Sequence, residues 1–136
     1  MFRMAAGEDD RRPISPGLGV WRWHLTMAAS ILNRATGAGL YLAFLVLAGW
    51  AVALALGPGP FAAYAGAFGS VPGRIALILL TLAAFFHLAA GIRHLLWDFG
   101  KGFAPTTATA SAWVAFIFAG LATAGAWAWA ASAGLL

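Results

Sequence analysis

From Ala35 to Gly73 this chain carries no charged residue, and that gap constrains its fold more than any other feature. A helix of about 20 apolar residues is enough to cross the ~30 Å hydrocarbon core of a bilayer, so the gap holds a span and a connection. Two further apolar runs follow it. Across all 136 residues, 62% are hydrophobic and 9% charged, where a soluble domain carries about 25% charged residues. The chain therefore reads as an all-α integral membrane protein.

The runs divide it simply. Residues 1–24 form a polar arm in which Glu8-Asp9-Asp10-Arg11-Arg12 precedes Pro13 and Pro16, a composition that favours irregular chain ordered against a partner. It is not a secretory signal, because the apolar run starts late, is too long and is followed by further spans. Residues 25–136 form a membrane domain with spans at about 25–56, 74–97 and 109–134. Gly57-Pro58-Gly59-Pro60 should stop the first helix and open a loop, and Gly100-Lys101-Gly102 with Pro105 marks the next connection. Seven of the eight basic residues lie in the N-terminal segment through Arg34 or around the second connection, and only Arg74 lies near the first. The positive-inside rule then puts the N-terminus and the second connection in the cytoplasm, or in the matrix of a mitochondrion. Trp21, Trp23 and Trp97 fall on that side, where indoles anchor at the headgroups.

Several function classes drop out. With no cysteine, the chain offers no disulfide and no thiolate for an iron–sulfur cluster. It has no phosphate loop, dinucleotide fingerprint or nucleophile elbow. Its basic residues are too few and scattered for a nucleic-acid footprint.

The residue that points to chemistry is His87, inside the 18-residue run from Ile75 to Ile92. An ionisable group is expensive at that depth and marks a functional site facing protein. Imidazole is a common haem ligand. The positions sharing its helical face, Ala83, Ala84, Ala90 and Gly91, are all small and leave room for a flat cofactor. Membrane helix interfaces favour small residues as well, so close packing is the competing explanation. His94 and Asp98 continue the same face, about 10 Å and 16 Å nearer the helix end. Together with Arg93 they could form a snorkelling polar end, or Arg93 and His94 could reach haem propionates or a protein partner. A low-spin haem with two imidazoles would need a second ligand. His24 lies at or beyond the membrane edge and His94 shares a face with His87, so that ligand must come from another chain.

On the first span, Ser30 and Arg34 are one helical turn apart and share a face. A hydroxyl beside a fixed cation suits a quinone, whose carbonyl oxygens need donors. Alternatively Arg34 snorkels and Ser30 bonds back to its own helix. Thr36, Gly37 and Gly39 give a small surface for close helix approach.

The ordered motifs Arg12-Pro13-Ile14-Ser15-Pro16, Ser30-Ile31-Leu32-Asn33-Arg34-Ala35-Thr36-Gly37 and His87-Leu88-Ala89-Ala90-Gly91-Ile92-Arg93-His94 with Asp98-Phe99-Gly100 resemble the cytochrome b membrane anchors of succinate dehydrogenase, complex II. The resemblance covers about Arg12 to Gly100, and the third span matches in general character. It implies three transmembrane helices forming half of a heterodimeric membrane-anchor bundle. It implies His87 as an axial ligand of haem b, with the opposite ligand on the second anchor subunit. Ser30 and Arg34 would border a ubiquinone site, and Arg34 and His94 are possible haem-propionate contacts. Where the family often has histidine before the arginine, this chain has Asn33, which puts that histidine's contact in doubt. An iron–sulfur subunit and a flavoprotein subunit would complete the complex. The chain would then serve electron transfer in the tricarboxylic acid cycle without being an enzyme by itself.

A fumarate reductase anchor, a cofactor-free membrane scaffold and a small transporter using His87 and Arg93 as a proton relay are the alternatives. The transporter is weakened by the lack of repeats or a broken helix in mid-span. A bacterial inner membrane is favoured over a mitochondrial one, since no Arg- and Ser-rich, acid-poor presequence precedes the first motif.

Overall fold

The computed structural model describes residues 22–135, so most of the polar arm, with Trp21 and the Arg12–Pro16 motif, lies outside the described residues. Four helices follow one another: α1, Leu25–Leu56; α2, Pro58–Gly69; α3, Val71–Asp98; and α4, Pro105–Ser132. Three of them, α1, α3 and α4, are long and apolar enough to cross a membrane. The chain is a multi-pass membrane protein. At 28 residues each, α3 and α4 are about 42 Å long, the depth of the hydrocarbon core plus its headgroup layers.

The first connection differs from expectation: it is helical. Gly57, at φ 109°, stops α1 in a backbone region that favours glycine. Yet Pro58 then occupies the first turn of α2, where a missing N–H is harmless and the fixed φ suits a helix. The same Gly-Pro sequence that ends one helix thus begins the next. The aromatic ring of Tyr64 docks α2 against Gly49 of α1, where a Cβ would stand 3.2 Å from Tyr64 Cε2. Its hydroxyl donates to Val46 O.

Ser70 then caps α3, its Oγ accepting from Gly73 N at 3.3 Å, with Pro72 in the first turn. The helix consequently starts at Val71, before the expected Arg74. Likewise α4 starts at Pro105, earlier than 109, because that proline again suits a first turn. Between α3 and α4, Gly100 and Gly102 adopt φ values of 74° and 83°, and Lys101 N returns to Leu96 O at 3.0 Å. These are the left-handed turns that the two glycines make accessible.

The main buried cluster lies in one half of the bundle. The buried cluster joins Ala29 of α1, Phe86 and Ala90 of α3, and Ala112, Ala115 and Ala119 of α4. Small side chains let the backbones approach closely, which is what holds membrane helices together where lipid is as apolar as leucine. Phe86 fills the remaining space against Phe116, with ring centroids 4.9 Å apart. This half contains the second connection; the half near the first connection is open.

Candidate functional site

Arg74 and Arg93 bracket α3. They are 19 positions apart in the sequence, about 28 Å along a helix and so close to the thickness of the hydrocarbon core. His87 lies between them, about 9 Å from the level of Arg93. Its half-buried imidazole turns toward α1. There Nδ1 lies 3.2 Å from the carbonyl oxygen of Asn33 and 3.3 Å from Thr36 Oγ1. A backbone carbonyl only accepts, so in the neutral imidazole this contact puts the ring proton on Nδ1 and leaves the lone pair on Nε2. Thr36 Oγ1 donates to Leu32 O and Asn33 O, at 2.7 and 3.1 Å, and accepts from the imidazole. Gly37 completes the seat: a Cβ there would stand 3.3 Å from His87 Cε1. Asn33, Thr36 and Gly37 therefore hold the ring.

The small neighbours of His87 divide among several tasks. Ala90 is buried in the three-helix core. Ala83 faces Gly39, where a Cβ would stand 4.0 Å from its own. Ala84 faces the open half of the bundle, and at Gly91 a Cβ would meet nothing within 4 Å among the described residues. His94 shares the His87 face as its spacing requires, and its Nδ1 lies 3.4 Å from Asn33 Nδ2. Asn33 Oδ1 is buried with no hydrogen-bond partner. Residues 33–37 of α1 thus meet both histidines of α3.

Ser30 and Arg34 stand beside this turn without bonding to either histidine. Ser30 is half-buried and Arg34 exposed, on a face of α1 that the described residues leave open. Four threonine hydroxyls, those of Thr36, Thr81, Thr109 and Thr123, bond back to their own helices. Among the described residues, Ser30 Oγ makes no such bond and the Arg34 guanidinium has no partner.

Arg93 departs from the snorkelling expectation. It is 5% exposed, with Nε donating to Ser111 Oγ at 2.9 Å and Nη2 to Ala108 O at 3.1 Å. Its guanidinium carbon lies 4.1 Å from the centre of the Trp97 ring. Half-buried acceptors on α4 recruit the side chain inward, where stacking on an indole adds attraction. Trp97 is correspondingly more than a headgroup anchor: its indole N–H donates to Gly102 O at 3.2 Å and its ring stacks with Phe103. Asp98 is exposed at the helix end. The sequence reading had assigned neither the Asn33 carbonyl nor the Thr36 hydroxyl to His87; the Thr36-Gly37 pair, marked for close approach, was the available signal.

Comparison with known proteins adds a family to this geometry. Residues 8–126 match the model of the succinate dehydrogenase/fumarate reductase transmembrane subunit family. The succinate dehydrogenase cytochrome b556 subunit of Rickettsia felis is 34% identical over 104 residues, covering 76% of this chain and 81% of that protein. The corresponding subunit of Paracoccus denitrificans is 38% identical over 99 residues, covering 73% and 76%. The human mitochondrial cytochrome b560 subunit is 38% identical over 96 residues, covering 67% of this chain and 55% of its own. With most of its length matched in both kinds of comparison, the chain belongs to the succinate dehydrogenase/fumarate reductase transmembrane subunits, on the side of the cytochrome b anchors of succinate dehydrogenase.

Proposed function

We propose that this chain supplies one axial ligand, His87, to a haem b shared with a second membrane-anchor subunit, and helps form a ubiquinone site with Ser30 and Arg34. The observation that carries the first part is the seating of His87. With Nδ1–H directed at the Asn33 carbonyl, the ring is oriented and Nε2 is available to a metal, the arrangement in which an outer hydrogen bond fixes a ligating imidazole. The open surface at Gly91 and the single-sided ligand supply also suit a haem completed by a partner. Bound there, a haem b supplies reversible one-electron storage. The residues of this chain hold the ligand, exclude water through the Ala90 and Phe86 packing below it, and present His94 and Arg34 toward the same membrane face.

Among the described residues, Ser30 and Arg34 offer an uncommitted hydroxyl and an uncommitted cation one turn apart. A ubiquinone carbonyl accepts from either, and the fixed positive charge favours the quinone as it gains electrons and before it gains protons. This pair binds and orients the substrate. Oxidation of succinate belongs to other subunits, a flavoprotein and an iron–sulfur protein docked on the basic face. The chain is thus a non-catalytic electron-transfer subunit of a bacterial inner-membrane complex, with its N-terminus cytoplasmic. Identity with succinate dehydrogenase relatives favours succinate oxidation over fumarate reduction.

The haem assignment is tested by His87→Ala in the purified complex. The reduced b-type absorption band should disappear while the subunits remain associated; an unchanged spectrum would favour a cofactor-free scaffold.

A further inference from the structure

The open half of the bundle forms a cleft of about 850 Å³ between α1, α2, α3 and the end of α4. Its walls are apolar, among them Ala43, Leu77 and Phe85, and the polar groups in its interior are already engaged. Tyr64 donates its hydroxyl proton to Val46 O, Thr81 donates to Leu77 O at 2.7 Å, and the Trp127 indole N–H reaches Thr81 Oγ1 at 3.4 Å. A quinone ring placed below Arg74 would find no free donor for its carbonyl oxygens, and burying them unpaired is unfavourable. A hydrocarbon chain has no such requirement.

One polar group at the cavity is uncommitted. Arg74, exposed at its mouth, donates from Nε to Gly69 O at 2.9 Å, and among the described residues its Nη groups have no partner. It stands at the membrane boundary opposite Arg93. From Arg74 to Phe85 the cavity follows α3 through 11 positions, about 16 Å, against about 15 Å for the hydrocarbon of one leaflet. A cation at headgroup height above an apolar cleft one leaflet deep matches the two ends of a phospholipid.

We propose that this cleft is a binding site for an anionic phospholipid, with one acyl chain between α1 and α3 and its phosphate on Arg74. The test uses the whole complex, delipidated in mild detergent and titrated by native mass spectrometry with phosphatidylglycerol, with diacylglycerol of the same chains, and with decylubiquinone. Arg74→Gln should weaken phosphatidylglycerol binding about fivefold, the worth of one basic residue at an anionic surface, and leave diacylglycerol unchanged. Arg74→Lys should restore most of that affinity. Ala43→Phe, which fills the cleft, should reduce binding of both lipids with the subunits still associated. Three results would each overturn the proposal: phosphatidylglycerol affinity unchanged by Ala43→Phe, stoichiometric displacement by decylubiquinone, or loss of a partner subunit in Ala43→Phe, which would make a protein helix the occupant.

Discussion

Replacing Gly37 by alanine separates the seat of His87 from the stability of the helix that carries it. The new Cβ would stand 3.3 Å from His87 Cε1 and 3.8 Å from Nδ1, where carbon contacts are most favourable at about 3.5–4.0 Å. Relief requires the ring to move a few tenths of an ångström. The Nδ1 contact to the Asn33 carbonyl, at 3.2 Å, is already at the long end of the hydrogen-bond range of about 2.7–3.2 Å, so the same movement loosens it. Outer hydrogen bonds to metal-ligating histidines are worth about 10–100-fold in metal affinity or activity, and we expect a tenfold loss of haem retention as the order of magnitude. The helix itself should gain, because alanine is favoured over glycine in a helix interior by about 1 kcal/mol. The two effects thus have opposite signs. Haem per complex, read from the reduced-minus-oxidised spectrum after a detergent wash, should fall while the unfolding temperature of the subunit does not. Gly39→Ala is the control, since its Cβ would stand 4.0 Å from Ala83 Cβ, an ordinary contact. Equal haem retention in both variants would refute the seat.

Four other expectations follow from the same geometry. Ser30→Ala and Arg34→Ala should each lower succinate–ubiquinone reductase activity while succinate oxidation by an artificial acceptor persists; equal loss of both activities would point to failed assembly. Arg93→Met should destabilise the α3–α4 pair by about 1.5–3 kcal/mol, the range for hydrogen bonds from a charged group. Arg93→Lys should not fully rescue it, because an ammonium lacks the fork that reaches Ser111 and Ala108 together; thermal melts of the purified complex report both. Ala112→Leu, at a position with 0% exposure, should overpack the α3–α4 contact and cost about 1–3 kcal/mol, whereas Trp113→Leu on the exposed side should shift the same melt far less. Gly73→Ala should open the α2–α3 corner, since its Cβ would collide with Ala67 O and stand 2.6 Å from Phe68 Cα; increased protease cleavage between α2 and α3 would register it.

Span number and the His87 face were legible because both follow from one-dimensional patterns. Charge-free runs report bilayer crossing, and the seven-residue spacing of His87 and His94 brings both to Asn33 on α1. The α2 helix was not legible. Gly57-Pro58-Gly59-Pro60 punctuates the chain strongly, but proline disrupts a helix interior and is compatible with a first turn, so the same residues fit a loop or a new helix. The direction taken by Arg93 was not legible for a different reason. Whether a cation at a helix end snorkels or turns inward depends on acceptors supplied by another helix, here Ser111 Oγ and Ala108 O. The partner of His87 is harder still to foresee, since a backbone carbonyl leaves no mark on residue identity at Asn33.

The distribution of packing explains why the candidate cofactor residue stands where it does. An imidazole that ligates a metal needs one nitrogen fixed and the other open, so its helix must be held rigidly on one side and unfilled on another. In α3 the rigid side is supplied by Phe86 and Ala90 in the buried cluster and by Arg93 tied to α4, which flank His87 before and after. Alanines at 112, 115 and 119 bring α4 close enough for those contacts. Across from them, α1 meets His87 through Thr36 and Gly37, a hydroxyl and an absent side chain. A bulkier residue at 37 would press on the imidazole and displace the ring. A polar seat at that position therefore limits how completely this half of the bundle can close on itself, and under the proposed function the surface left at Gly91, Ser30 and Arg34 is where a second subunit would finish the packing.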